Sequence, residues 1–208
     1  MTITNGYVLL EDVKSALRVQ DSDDDVMIEL AIESASRAID GHCGRHFYAE
    51  DSATARTFVA SSSHLCHVDD ISTTTGLVVK TDTTGNGTFD TTWTTGDYQL
   101  EPLNGRRSGQ AWAYDSIVAV GAYYFPKWGT LNRGEALVEV TAAWGWPAVP
   151  EPVRQATLIQ AVSLFKGKDA PLGVAGFGDV GAIRMSSMVH PQALMLLKPF
   201  RRTGVLVA

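Results

Sequence analysis

The chain changes its hydrophobic period twice. Near the N-terminus apolar residues recur at helical spacing, and residues 10–17 predict a first short helix. A longer helix follows, in which Ile28, Ala31, Ile32, Ala35, Ala38 and Ile39 form one continuous apolar stripe, the mark of a helix with one face on a core. Asp21 or Ser22 is placed to cap it, with Asp23, Asp24 and Asp25 in the first turn, where the positive end of the helix dipole favours carboxylates. Gly41 and Gly44 end it, glycine being the residue that most readily takes the left-handed conformation of a helix stop.

From about Thr54 to Ala143 the period falls to two. Residues 56–59, 65–68, 76–82, 88–93, 97–100 and 116–120 read as strands, and eleven threonines from Thr73 to Thr95 favour strand over helix there because branching at Cβ restricts χ1. Thr84-Gly85-Asn86-Gly87 predicts a hairpin turn, since Asn and Gly tolerate positive φ. Residues 104–109 read as a loop. The last strand has Val138, Val140 and Ala142 alternating with Glu139 and Thr141, and it stops at the corner Trp144-Gly145-Trp146-Pro147. Pro150 and Pro152 then open a helix, with Val153, Ala156, Ile159 and Gln160 at helical spacing as far as about residue 166. A short helix is expected near residues 192–197, after Pro191. Helices at both ends enclosing a run of strands make an α+β chain rather than an alternating one. The expected organisation is a helical body from the two terminal segments, residues 1–50 and 147–208, with an inserted antiparallel β subdomain at 51–146, one structural unit overall.

The chain has 208 residues, 45% of them hydrophobic, enough for a sizeable core. It has no apolar run long enough for a membrane span and its N-terminus lacks the basic and apolar regions of a secretory signal. Two cysteines make no disulfide framework, so folding in a reducing cytosol is expected. The net charge of −6 argues against tight nucleic-acid binding, which needs a basic stripe to displace counterions. The charge is uneven: residues 1–51 carry four basic against eleven acidic residues, and residues 151–208 carry seven basic against three acidic. Either these are ordinary solvated faces, or opposite ends of neighbouring subunits attract one another in an assembly.

Candidate chemistry is sparse. His42, Cys43, His46, His64, Cys66 and His67 gather both cysteines and four of the five histidines. Four of them converging could hold zinc, giving a zinc-stabilised domain or small zinc enzyme, but their spacing matches no zinc module. The alternative is two buried cysteines and surface histidines. Residues 82–90 loosely resemble a calcium loop, yet the position that needs a bidentate glutamate holds Trp93, and a hairpin is the better reading. The glycines from Gly173 to Gly181 follow a helix and lack a Gly-Lys-Ser/Thr sequence, so they predict a loop that orders against a partner rather than a phosphate cradle. No nucleophile elbow, paired-carboxylate motif or metalloprotease helix is visible, and no catalytic residue or cofactor is expected. Tyr123, Tyr124, Phe125 and Trp128 form an apolar stretch suited to an intersubunit contact.

Several stretches together resemble the head-tail connector (head-to-tail adaptor) proteins of long-tailed bacteriophages. They are Tyr7-Val8-Leu9-Leu10-Glu11-Asp12-Val13-Lys14, the ending Ala38-Ile39-Asp40-Gly41-His42-Cys43-Gly44-Arg45-His46-Phe47, and the Trp144–Pro147 corner with the helix after it. The glycine-rich loop around Phe177 and the tail Leu196-Leu197-Lys198-Pro199-Phe200-Arg201-Arg202 complete the set. The resemblance covers both ends of the chain, while residues 51–135 match only in style. It implies a structural virion protein in the neck between capsid and tail, assembled in the host cytoplasm and not an enzyme. It further implies a homo-oligomeric ring, of twelve copies, that binds the portal on one side and a tail-side neck or tail-completion protein on the other. DNA passes through the ring's lumen without sequence-specific binding, and no membrane is involved. By the same resemblance Phe177, Pro199, Phe200, Arg201, Arg202, Val205, Leu206 and Val207 are the candidate partner-binding residues. Another neck component, such as a tail-completion protein, is the alternative within the same class.

Overall fold

The protein is described from a computed structural model that covers residues 3–126, 135–167, 174–175, 183–184 and 189–202. The chain is α+β and divides into two compact units. Among the described residues, one combines those up to Phe47 with those from Val149 to Arg202, and the other runs from Tyr48 to Ala148.

The first unit holds helices α1 (Leu10–Leu17), α2 (Asp25–Cys43), α3 (Glu151–Gly167) and α4 (Pro191–Leu197). Its core forms where the stripe Ile28, Ala31, Ile32 and Ala35 of α2 meets Val8 and Val13 on one side and Ala161 and Phe165 of α3 on the other. Each fully buried aliphatic side chain in such a core contributes about 1.5–3 kcal/mol. The start of α2 differs from the sequence expectation. The helix begins only at Asp25, and Asp24 occupies the cap position without a side-chain cap bond. The Asp21 carboxylate instead accepts from the N–H of Asp23, and Asp25 is drawn into an ion pair with Lys14. A charged partner on α1 thus outweighs the local capping preference. At the other end Gly41 lies inside the helix, and Gly44 alone stops it: it takes φ +65° and its N–H donates to the Asp40 carbonyl. In α3, Pro152 sits in the first turn and the Pro150 carbonyl accepts from Val153 and Arg154. A two-residue antiparallel ladder pairs β10 (Val174–Ala175), in the glycine-rich stretch, with β11 (Ile183–Arg184), just after it.

The second unit is antiparallel β throughout its described ladders. Strands β1 (Thr54–Phe58), β2 (Leu65–Ile71), β3 (Val78–Thr81), β4 (Thr91–Trp93), β5 (Tyr98–Glu101), β6 (Arg106–Arg107), β7 (Gln110–Ala111), β8 (Tyr114–Ala119) and β9 (Val138–Ala142) form it. One sheet has the order β1-β9-β3-β4, a second has β2-β8-β5, and β6-β7 is a separate small hairpin. Val140 stands opposite Val79 and Val79 opposite Trp93 across the first sheet, and these meet Cys66, Val68 and Ile117 of the second sheet in one core. On the other face Lys80 pairs with Glu139 at 3.2 Å, a half-exposed contact worth about 0–1 kcal/mol. Between His67 and Ile71 the β2-β8 register shifts, and this bulge buries Asp70 next to Ile71.

The hairpin expected around residues 84–87 forms, with β3 antiparallel to β4, but its connection is a nine-residue loop rather than a four-residue turn. Its organiser is Asp82, buried at the end of β3. One carboxylate oxygen accepts from the N–H groups of Thr84 and Gly85 and from the Thr84 hydroxyl. The other accepts from the N–H of Gly87. A carboxylate filled with N–H donors is no calcium ligand, which disposes of that resemblance. Burial pushes the Asp82 pKa up, but the N–H groups of Gly87, Gly85, Thr84 and Asn86 more than reverse this and hold it below the usual carboxylate range. A group with a depressed folded-state pKa contributes stability above its unfolded value of about 3.9, lost as pH falls through the folded value. Replacing Asp82 with Asn should therefore destabilise the protein at pH 7, and the gap to wild type should close as pH falls below about 4. Urea midpoints of both proteins from pH 7 to pH 3 test this. The difference between the two isolates Asp82 from Asp40, whose pKa burial raises and whose contribution has the opposite sign. A gap constant with pH would overturn the assignment.

Candidate functional site

Three distant parts of the chain meet at Phe47. Its ring packs edge-on against Tyr7 at 5.8 Å and against Phe200 at 5.9 Å. The Tyr7 hydroxyl accepts from the Phe47 N–H at 2.7 Å and donates to the Asp40 carboxylate. Asp40 is also paired with Arg37 at 2.9 Å, and the Arg37 guanidinium lies over the Tyr7 ring at 5.6 Å. Burial, followed by the bond to Asp40, pushes the Tyr7 pKa well above the phenol range, so Tyr7 stays a neutral donor. The end of α2 receives the C-terminal segment in the same place. The Arg202 N–H donates to the Cys43 carbonyl at 2.8 Å, and a Cβ on Gly44 would lie 3.7 Å from the Arg202 Cβ. The landmarks of the Asp40–Phe47 sequence thus act mechanically. Asp40 holds Tyr7, Cys43 and Gly44 end the helix against the tail, and Phe47 anchors both chain ends.

The His/Cys candidates divide between the two units. His42, Cys43 and His46 belong to the helical unit, and His64, Cys66 and His67 to the β unit. Cys43 and Cys66 are both buried free thiols, and burial pushes each up to about 12. The His64 Nδ1 bonds the Ser63 hydroxyl and the His67 Nδ1 the Ser116 hydroxyl. Among the described residues, no group of three or more His, Cys, Asp or Glu side chains is placed to hold a metal ion. The zinc reading has no support.

The partner candidates separate into anchored and exposed residues. Phe200 is 2% exposed and Phe125 is fully buried, stacked on Trp93 at 4.7 Å. Both expectations are corrected in this way: these rings are spent inside the chain, because the core offers them aromatic partners. Pro199 and Arg201 are exposed and Arg202 partly so. Tyr124 is exposed, and Tyr123 is exposed while touching Trp93 at 5.5 Å. Phe177, Val205, Leu206, Val207 and Trp128 lie outside the described residues.

Sequence reasoning missed a second apolar face on α2. Val26, Met27 and Leu30 are 59%, 46% and 47% exposed, with Val26 and Leu30 on the side of the helix opposite Ile28 and Ile32. The signal was present in the doubled run Val26-Met27-Ile28 and Leu30-Ala31-Ile32, too wide for a helix with a single buried stripe. Met195 on α4, 79% exposed, was missed as well.

Comparison with known proteins gives these surfaces a context. Residues 7–64 match the family described as phage gp6-like head-tail connector protein. No curated protein matches the chain. Among solved structures, a chain from the neck of an empty GTA particle computed with C6 symmetry is similar at 17% identity and a TM-score of 0.53, over 99% of this chain and 95% of that one. A chain from the neck of a native GTA particle computed with C12 symmetry is similar at 16% identity and a TM-score of 0.54, over 99% and 94%. The matched segment begins at Tyr7 and contains Asp40, Gly44 and Phe47. Residues 7–64 therefore carry the sequence pattern of the phage gp6-like head-tail connectors, and the fold is similar to that of the two neck chains.

Proposed function

We propose that this chain is a structural protein of the virion neck, a connector subunit that assembles with copies of itself into a ring and acts as an adaptor rather than an enzyme. The observation that carries the reading is the connector-family match over residues 7–64. In this structure that segment includes α1, α2 and the Tyr7–Asp40–Phe47 anchor. A ring is favoured by the origin of the similar chains, which come from necks computed with C6 and C12 symmetry, and a cyclic assembly of twelve copies accords with closed symmetry of that kind.

The ring sits between the portal and a tail-side neck or tail-completion protein, and DNA passes through it. The net charge of −6 suits a conduit: a surface that does not grip phosphates lets DNA slide, whereas a basic lining would hold it by counterion release. The terminal residues Val205, Leu206 and Val207, and Phe177, are assigned to the portal side, where an extended apolar tail can add a strand to a partner's sheet edge. Assembly takes place in the host cytoplasm.

Electron microscopy of the purified protein, alone and mixed with portal-bearing capsids, tests this. The expected result is a ring at the portal vertex with an electronegative lumen. A protein that never binds the vertex overturns the neck assignment, and a lumen lined mainly by Lys and Arg overturns the account of DNA passage.

A further inference from the structure

The helical unit is polarised along α2. At the N-terminal end, residues 21–33 include six acidic residues and no basic one, and among them Val26, Met27 and Leu30 hold apolar surface in solvent. At the C-terminal end, residues 198–202 contain Lys198, Arg201 and Arg202 and no acidic residue. That segment is fixed there by the Arg202–Cys43 backbone bond and the Phe200–Phe47 contact. The exposed Met195 lies one turn before it on α4. With a rise of 1.5 Å per residue, Leu30 and Cys43 are about 20 Å apart along the helix. One subunit thus carries an acidic-apolar patch and a basic-apolar patch, held apart by a rigid helix.

We propose that these two patches bind each other between adjacent copies of this chain: the Val26–Met27–Leu30 face of one subunit receives Met195, Pro199 and the Lys198/Arg201 charges of the next. The occupant is a second copy rather than another protein because both complementary halves are present on the same chain. The patches differ, so the contact is head-to-tail, and such a contact repeats around a closed ring instead of stopping at a dimer. Apolar residues at the centre with opposite charges around them also describe the usual anatomy of a specific interface, and the charges fix the register and reject the reversed arrangement. The two α2 faces then have separate roles. Ile28 and Ile32 hold the subunit together, and Val26 and Leu30 hold it to its neighbour. This inference rests on the neck reading, to which it adds the surface that closes the ring.

The test is disulfide cross-linking of full-length protein within purified particles, using the double variant Leu30→Cys with Met195→Cys. Both positions are exposed, so the core is untouched, and the native cysteines are buried and do not compete. The expected result under mild oxidation is a ladder of dimers, trimers and higher multimers, with no ladder from either single variant. If the chain is present in particles and no ladder forms, this interface is wrong while the neck reading stands. If the chain is absent from the particles, the neck reading itself fails. Dimers from Leu30→Cys alone would overturn the head-to-tail arrangement. A charge exchange gives a second readout that no cysteine affects. Asp23→Lys and Arg201→Glu should each weaken self-association by about tenfold, as expected for an interfacial charge, and the combination should recover most of it. Two losses that merely add would overturn the pairing.

Discussion

Replacing Trp144 with alanine is expected to destabilise the protein by about 3–5 kcal/mol, the range for truncating a fully buried aromatic. Trp144 is completely buried and joins both sheets of the β unit. Its indole N–H donates to the Thr54 carbonyl on β1 at 2.9 Å, and its backbone bridges to Ile71 at the end of β2. The Arg56 guanidinium lies over its ring at 4.7 Å, where it is also held by Glu50 and Asp69, and Phe58 packs at 5.6 Å. Two residues on, Trp146 donates to the buried Asp70 at 2.9 Å and meets Trp112 at 4.8 Å. Gly145 between them takes φ +106°, a conformation that turns successive indoles to different partners and strains any residue with a Cβ. Urea unfolding followed by circular dichroism is the measurement, with a lower midpoint and an unchanged slope as the expected outcome. Trp144→Phe keeps most of the volume and gives up the N–H bond, so it should cost roughly 1–2 kcal/mol. Equal losses for the two variants would mean that the hydrogen bond, and not the packing, holds the corner.

The aromatic corner was legible in the sequence as a stop between strand and helix, and its energetic role was not. Alternation in Val138, Val140 and Ala142 identifies a half-buried strand, because side chains of period two segregate to two faces whatever lies beyond them. β9 pairs with both β1 and β3, partners some 80 and 60 residues earlier in the sequence. No local pattern encodes a choice between distant strands. The start of α2 failed for a related reason. Asp21 and Ser22 satisfy every local rule for a cap, but Lys14 draws Asp25 from another helix, and helix ends are decided by margins of about a kcal/mol. The hairpin forms, with Gly85 and Gly87 at positive φ, but its connection is longer than four residues because the Asp82 carboxylate gathers the N–H groups of the loop. Among the candidate residues the sequence named aromatics, and the structure divides them. Phe125 and Phe200 are core, while Tyr124 and the aliphatic Val26, Met27 and Leu30 remain outside. Burial is a property of the whole fold and does not follow from residue type.

The same division changes what deletion of the C-terminus should do. A chain ending at Lys198 is expected to lose about 3–5 kcal/mol of stability, because it removes Phe200 from between Phe47 and the helices along with the Arg202–Cys43 backbone bond. At about 2–4 °C per kcal/mol for a chain of this size, melting should fall by about 6–20 °C. Lost docking in that variant would say nothing about the portal, since the damage reaches α2. A chain ending at Arg202 keeps both anchors and removes the six residues from Thr203 to Ala208, among them Val205, Leu206 and Val207. It should melt within a degree or two of the full chain and fail to bind the portal vertex. Phe200→Ala in the full-length chain completes the comparison, with stability lost and the terminal residues present. Calorimetry and vertex binding, read together on the three proteins, separate anchoring from docking. If the chain ending at Arg202 still docks, the terminal residues are not the portal contact. If the chain ending at Lys198 melts like wild type, Phe200 is not the anchor that its burial indicates.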